Sequence, residues 1–298
     1  MSLLQTFRTL AAATGATLLG GAAWAQEAAD NSGAGLVVDG LPVIGQPHQG
    51  GIALQPAMST VAENTHWLDG MVLWIISAIV LFVMLLLVVV IFRFNERRNP
   101  TPARFTHNSP LEIAWTIVPI VILVFIGAFS LPVLFDQQEI PEGDIHIKVT
   151  GYQWFWHYDY PDEAISFDSY MIGYGEGNLN PDISAALQEA GFTDQQFKLA
   201  TDTYVVVPVG ATVVVTVTGG DVIHSWKVPA FGVMQDAVPG RLAHLWFKAE
   251  QEGIFFGQCS ELCGKDHAFM PIQVRVVSQE AYDAWVQQAK VDFPSPAS

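Results

Sequence analysis

The sequence predicts a membrane-anchored all-β protein, a two-helix transmembrane hairpin followed by a β-sandwich or barrel outside the membrane. Three features lead there: two charge-free apolar runs in the first half, a series of short β runs in the second, and an acidic excess concentrated in that second half. Of 298 residues, 51% are hydrophobic and only 14% charged, apolar for a soluble protein but ordinary for one with a few spans. The formal net charge is −16, and from Asp136 onward there are 22 acidic against 8 basic residues. Such a domain attracts basic partners and repels nucleic acid phosphates.

At the N-terminus, Arg8 precedes an apolar stretch over residues 10–23 that ends in Ala23-Trp24-Ala25. This reads as a secretory signal peptide, residues 1–25, with cleavage after Ala25; a short hydrophobic tail that stays attached is the alternative. Residues 26–66, rich in Gly, Ala and Pro, are expected as an extended outer arm. The hairpin covers 67–135, with charge-free spans of 22 residues at 71–92 and 23 at 113–135. At 1.5 Å per residue each helix reaches about 33 Å, enough to cross the hydrocarbon core. The loop 93–112 holds Arg93, Arg97, Arg98 and Arg104 against Glu96, which places it in the cytoplasm and both termini outside. Trp67 and Trp74 then mark the outer interface and Trp115 the inner one. Ser109-Pro-Leu-Glu112 reads as a capping box with Ser109 as N-cap, Pro110 at the first helical position and Glu112 reaching back. Pro119 and Pro132 are expected to kink this second helix, which membrane bundles tolerate.

Residues 136–298 form the outer domain. Short β runs are expected at 145–150, 152–158, 203–207, 212–218, 245–249, 254–258 and 272–277, several of them separated by Gly and Pro. A helix over 182–190, capped by Asn180-Pro181, interrupts them within a 178–202 stretch read as a solvated excursion, and 280–289 reads as a closing helix. Tyr152-Gln-Trp-Phe-Trp-His-Tyr158 is aromatic at nearly every position, so alternation along one strand cannot bury it all; some rings must be exposed or packed on a partner.

The chemistry gathers in Gly257-Gln-Cys-Ser-Glu-Leu-Cys-Gly-Lys-Asp-His-Ala-Phe-Met-Pro271. Both cysteines of the chain are here, and Cys259, Cys263, His267 and Met270 fall within twelve residues in a C-x3-C-x3-H-x2-M spacing between two strand-like runs. Thiolate, imidazole and thioether together favour copper. A mononuclear electron-transfer copper uses one Cys, two His and a weak Met, whereas this loop has two thiolates and one imidazole. His224, in Thr218-Gly-Gly-Asp-Val-Ile-His-Ser-Trp226, is the best source of a second imidazole and would complete a set for two coppers sharing both sulfurs. The cysteine pair alone also fits a disulfide in an oxidising compartment. A tetrahedral zinc site fits less well, because Met is a poor zinc ligand.

These residues resemble subunit II of haem-copper cytochrome c oxidase of the bacterial type, which holds a dinuclear copper centre called CuA, and the resemblance runs from about Trp67 to Trp285. It implies a cupredoxin-like outer domain in the periplasm, anchored in the inner membrane, that takes electrons from cytochrome c and passes them to haem in subunit I. Oxygen reduction coupled to proton pumping would take place in subunit I, as part of an aa3-type-like complex that also holds subunit III. The resemblance assigns Cys259 and Cys263 as bridging ligands, His224 and His267 as imidazole ligands, Met270 as the thioether and the Glu261 backbone carbonyl as a further ligand. The Glu261 side chain, with Asp236, would lie near a magnesium ion shared with subunit I; Asp236 also fits a plain turn acid ahead of Pro239-Gly240. Trp154 matches the tryptophan that receives the electron, with Asp159, Asp162, Glu163 and Asp168 nearby to dock a basic cytochrome. Glu112 matches a residue at the cytoplasmic mouth of a proton path, beside its capping role. Membrane lipid is the remaining partner, and nucleic acid is none. A copper-free quinol oxidase subunit II, a nitrous oxide reductase and a disulfide-stapled anchored binding domain are rival readings. The complete ligand set opposes the first, and the two spans and short length oppose the second.

Overall fold

The computed structural model describes residues 36–295 apart from Pro102, so the expected signal peptide lies outside the described residues. The chain divides into two compact units, Glu63–Glu139 and the remainder on either side of it.

The first unit is a pair of long helices, α1 (Thr60–Arg93) and α2 (Ser109–Gln138). Their apolar side chains are exposed all round, as a helix bathed in lipid rather than packed in a soluble core requires. Two spans with a large extramembrane domain therefore describe the chain. Gln137 Nε2 donates to Thr65 Oγ1 at 3.1 Å, and the Trp67 and Phe129 rings lie 5.9 Å apart, so the start of α1 meets the end of α2. The capping box sits one residue earlier than expected. Asn108, not Ser109, is the N-cap: its Oδ1 accepts from the Leu111 N–H at 3.2 Å, and Glu112 Oε1 accepts from the Asn108 N–H at 3.1 Å. Pro119 and Pro132 both lie inside one continuous helix.

The second unit is a β-sandwich. One sheet runs β1 (Val37–Val38), β2 (Leu41–Gly45), β11 (Gly253–Gln258), β12 (Pro271–Val277) and β6 (Val205–Pro208). The other runs β10 (Ala243–Lys248), β7 (Thr212–Gly219), β3 (Ile145–Tyr152), β4 (Phe155–Tyr160) and β5 (Ile165–Ser169). A separate ribbon pairs β8 (His224–Val228) with β9 (Val233–Ala237). Alternation decides the faces: Ile145, Ile147 and Val149 of β3 enter the core while His146 and Lys148 face out. Trp156, Tyr158 and Tyr160 of β4 enter the same core, joined by Phe255, Val274 and Val276 from the opposite sheet.

Two expectations fail here for physical reasons. Residues 37–45 are not an extended arm but two strands of the sheet, with β1 at its edge and β2 parallel to β11. Arg275 Nη1 holds Asp39 Oδ2 at 2.6 Å while its guanidinium lies 3.7 Å from the Tyr204 ring, which fastens the β1–β2 hairpin. Likewise the 178–202 stretch is not a solvated excursion. Its helix α3 (Pro181–Glu189) buries Ile183 and Leu187, which with Phe192, Leu199, Val38 and Val43 form a second core over Ile254 and Phe256. β11 is thus buried on both faces, and its continuous apolar run Ile254-Phe255-Phe256 is the sequence mark of that. The closing helix α4 (Gln279–Asp292) is capped by Ser278 and buries Tyr282, Val286 and Ala289.

Candidate metal centre

The copper-type ligands come from two places that the fold brings together. Cys259, Cys263, His267 and Met270 lie on the loop between β11 and β12, and His224 opens β8. Ser260 N–H donates to Ser225 O at 3.0 Å, fixing the loop against the start of that strand. Both cysteines are free thiols, with their sulfurs 3.9 Å apart. His224 Nδ1 is 3.9 Å from Cys259 Sγ, His267 Nδ1 is 3.6 Å from Cys263 Sγ, and Met270 Sδ is 3.5 Å from Cys263 Sγ. The Glu261 carbonyl oxygen lies 3.3 Å from Cys259 Sγ while the Glu261 side chain points to solvent. The four other expected donor groups therefore each lie 3.3–3.9 Å from one of the two sulfurs, and His224, Cys259 and Cys263 form a buried metal-capable cluster.

Electrostatics disfavour a bare thiolate at Cys263. Burial first, and then the neighbouring Cys259, push the Cys263 thiol up to about 12. Binding a metal would have to displace that thiol's proton, and a soft cation on the sulfur would supply the charge that stabilises a thiolate there. The donor set, two thiols, two imidazoles and a thioether, fits copper by residue type.

Around the ligands lies a set of holders that sequence reasoning missed. Asp221 Oδ1 sits 2.8 Å from His224 Nε2; a carboxylate only accepts, so Nε2 carries the proton and the Nδ1 lone pair faces the sulfurs. Partial burial works against the charge of Asp221, but hydrogen bonds from His224 and from the Val222 and Gln153 N–H groups outweigh it and hold the carboxyl below the ordinary range. Trp156 Nε1 donates to the Met270 carbonyl at 3.2 Å, and its ring meets the His224 ring edge-on at 6.0 Å. Gly151 leaves room for this imidazole: a methyl there would lie 2.8 Å from His224 Cγ. The only sequence signal for Asp221 is its place three residues before His224.

The aromatic run resolves differently from a single strand. Gln153 and Trp154 form the turn between β3 and β4, which lets Trp156, Tyr158 and Tyr160 alternate inward. That turn carries no Gly, Pro, Asn or Asp, so no local signal marked it. Half-buried Trp154 lies against the metal loop, with Lys265 Nζ 5.5 Å over its ring. The expected docking acids are not clustered beside it. Asp159, Asp162 and Glu163 lie towards the other end of β4 and pair with Lys148 and His157, with His146 and with Lys290; only Asp168, paired with His157, lies nearer. Asp236 is an exposed residue within β9 opposite Ser225 rather than a turn acid, one register pair from His224.

Known proteins place the chain. A family model described as cytochrome c oxidase subunit II, periplasmic domain, matches residues 145–277, and one for the transmembrane domain of the same subunit matches 47–133. The cytochrome c oxidase subunit 2 of Cereibacter sphaeroides is 66% identical over 254 residues, covering 84% of each chain. That of Arabidopsis thaliana is 37% identical over 242 residues, covering 79% of this chain and 88% of its own. The crystal structure of the periplasmic domain of subunit II of cytochrome oxidase from Bradyrhizobium japonicum is 47% identical, with a TM-score of 0.43 over 52% of this chain and 99% of that one.

Proposed function

Because the chain belongs to the cytochrome c oxidase subunit II family, we propose that its loop and His224 hold two copper ions as one redox unit on the periplasmic side. The observation that carries this reading is the meeting of four further donor groups around two free thiols 3.9 Å apart. Copper held there would supply one-electron transfer between a c-type cytochrome and haem in subunit I. The protein's part is to hold the donors still. Cys259 and Cys263 would be shared by both ions, His224 and His267 would supply the imidazoles, and Met270 and the Glu261 carbonyl would supply the remaining donors. A pre-set dry pocket avoids rearrangement during transfer.

Trp154 is the proposed point at which electrons arrive, supported by its packing against the loop. The acidic balance of the outer domain favours encounter with a basic cytochrome at long range, with Asp159, Asp162, Glu163 and Asp168 as contributors; complementary charge speeds association more than it tightens binding. Association is therefore expected to slow steeply as salt rises, and a rate indifferent to ionic strength removes this role. Exposed Glu261 and Asp236 flank the Ser260–Ser225 contact, which supports a magnesium ion on that edge, shared with subunit I. Glu112, at the start of α2, is the proposed proton-path residue, and Glu112→Gln keeps an oxygen for the cap while removing the charge.

The deciding experiment is metal analysis with electron paramagnetic resonance on the purified full-length chain. Two coppers per chain sharing a single unpaired electron are expected. A colourless protein whose two cysteines have oxidised to each other overturns the proposal and leaves an anchored β-domain.

A further inference from the structure

We propose that Gln153 is a positioning residue that ties the two separately folded halves of the ligand set together beside Trp154; this rests on the copper reading above. His224 and Cys263 are 39 residues apart in the chain and belong to different elements, so their spacing needs a physical link. One link is the Ser260–Ser225 hydrogen bond, and a second runs through Gln153. Its main-chain N–H donates to Asp221 Oδ2 at 2.8 Å, and Asp221 Oδ1 holds His224 Nε2 at 2.8 Å. Its side-chain Nε2 donates to the Cys263 carbonyl at 2.7 Å. One residue thus grips the imidazole half through its backbone and the thiolate half through its amide.

The loop is shaped to receive that amide. Gly264, at φ +131°, follows Cys263, and a methyl there would lie 3.1 Å from Gln153 Nε2 and 3.0 Å from Trp154 Cζ2. A residue with a Cβ at 264 would crowd the turn from the carbonyl and strain its own backbone. The same turn presents Trp154, so the geometry that fixes the ligands also fixes the ring beside them. Partners behind metal ligands commonly set affinity by about 10- to 100-fold when removed.

The test compares Gln153→Ala and Gln153→Glu with Gln258→Ala in the purified full-length chain. Gln258 is one residue from Cys259, but its amide donates elsewhere, to Lys198 O at 3.2 Å. In copper-free protein, amide hydrogen exchange across residues 259–267 is expected to rise about tenfold in Gln153→Ala, the size of one lost hydrogen bond, with Phe255 and Val274 unchanged. In copper-loaded protein, retention against a chelator is expected to fall about tenfold and the copper hyperfine pattern to change. Gln153→Glu, which turns an acceptor towards the carbonyl, is expected to exceed Gln153→Ala on each measure, and Gln258→Ala to match wild type. Unchanged exchange at 259–267, or an equal rise throughout β11 and β12, overturns the proposal. A wild-type chain that takes up no copper defeats the copper reading instead, and the exchange measurement still decides Gln153.

Discussion

The two ends of β4 behave as different kinds of surface. At its start, the Gln153–Trp154 turn and Trp156 are bonded or packed onto the ligand loop. Towards its end, Asp159, Asp162 and Glu163 are paired with cations and histidines of the domain's own outer face. Closeness in sequence alone groups both ends into one patch. Pairing separates them, because a carboxylate already shared with a lysine or histidine steers a partner by its field, while a donor aimed at a ligand's backbone acts only through geometry.

The largest effect should fall at the near end. Cys263→Ala removes the sulfur that neighbours Cys259, His267 and Met270, and is expected to abolish paired-copper uptake, whereas Glu163→Gln leaves metal content unchanged. Metal analysis of both variants checks this, and loss of copper in Glu163→Gln would break the comparison. Next, Gly151→Ala forces a methyl against the His224 ring and is expected to cost about 1–3 kcal/mol in denaturant unfolding, as overpacking does. Lys148→Ala, three residues away on the outer face, should stay within about 0.5 kcal/mol. Asp162→Asn, which breaks an exposed pair with His146, is expected to be as small; thermal unfolding should register at most about 0.5 kcal/mol, falling further in salt.

Legibility in the sequence followed the same division. The ligand loop could be read because soft donors are rare and their spacing is short, and the spans because twenty apolar residues have few other uses. The β3–β4 turn could not, since Gln153-Trp154 lacks the residues that usually mark one. Asp221 looked like any loop acid, as only the fold turns it towards His224. The second core was hidden for another reason. Val38 and Val43 owe their burial to Ile254 and Phe256, more than 200 residues away, and no local pattern encodes so distant a partner.

The β2–β11 pairing also settles a matter of parity. β2 precedes both apolar helices and β11 follows both, yet the two strands share hydrogen bonds in one sheet. Strands on opposite faces of a bilayer cannot touch, so the chain between them must cross an even number of times, whatever the arginines of the connecting loop prefer. A topology with a single crossing would have to tear this sheet apart.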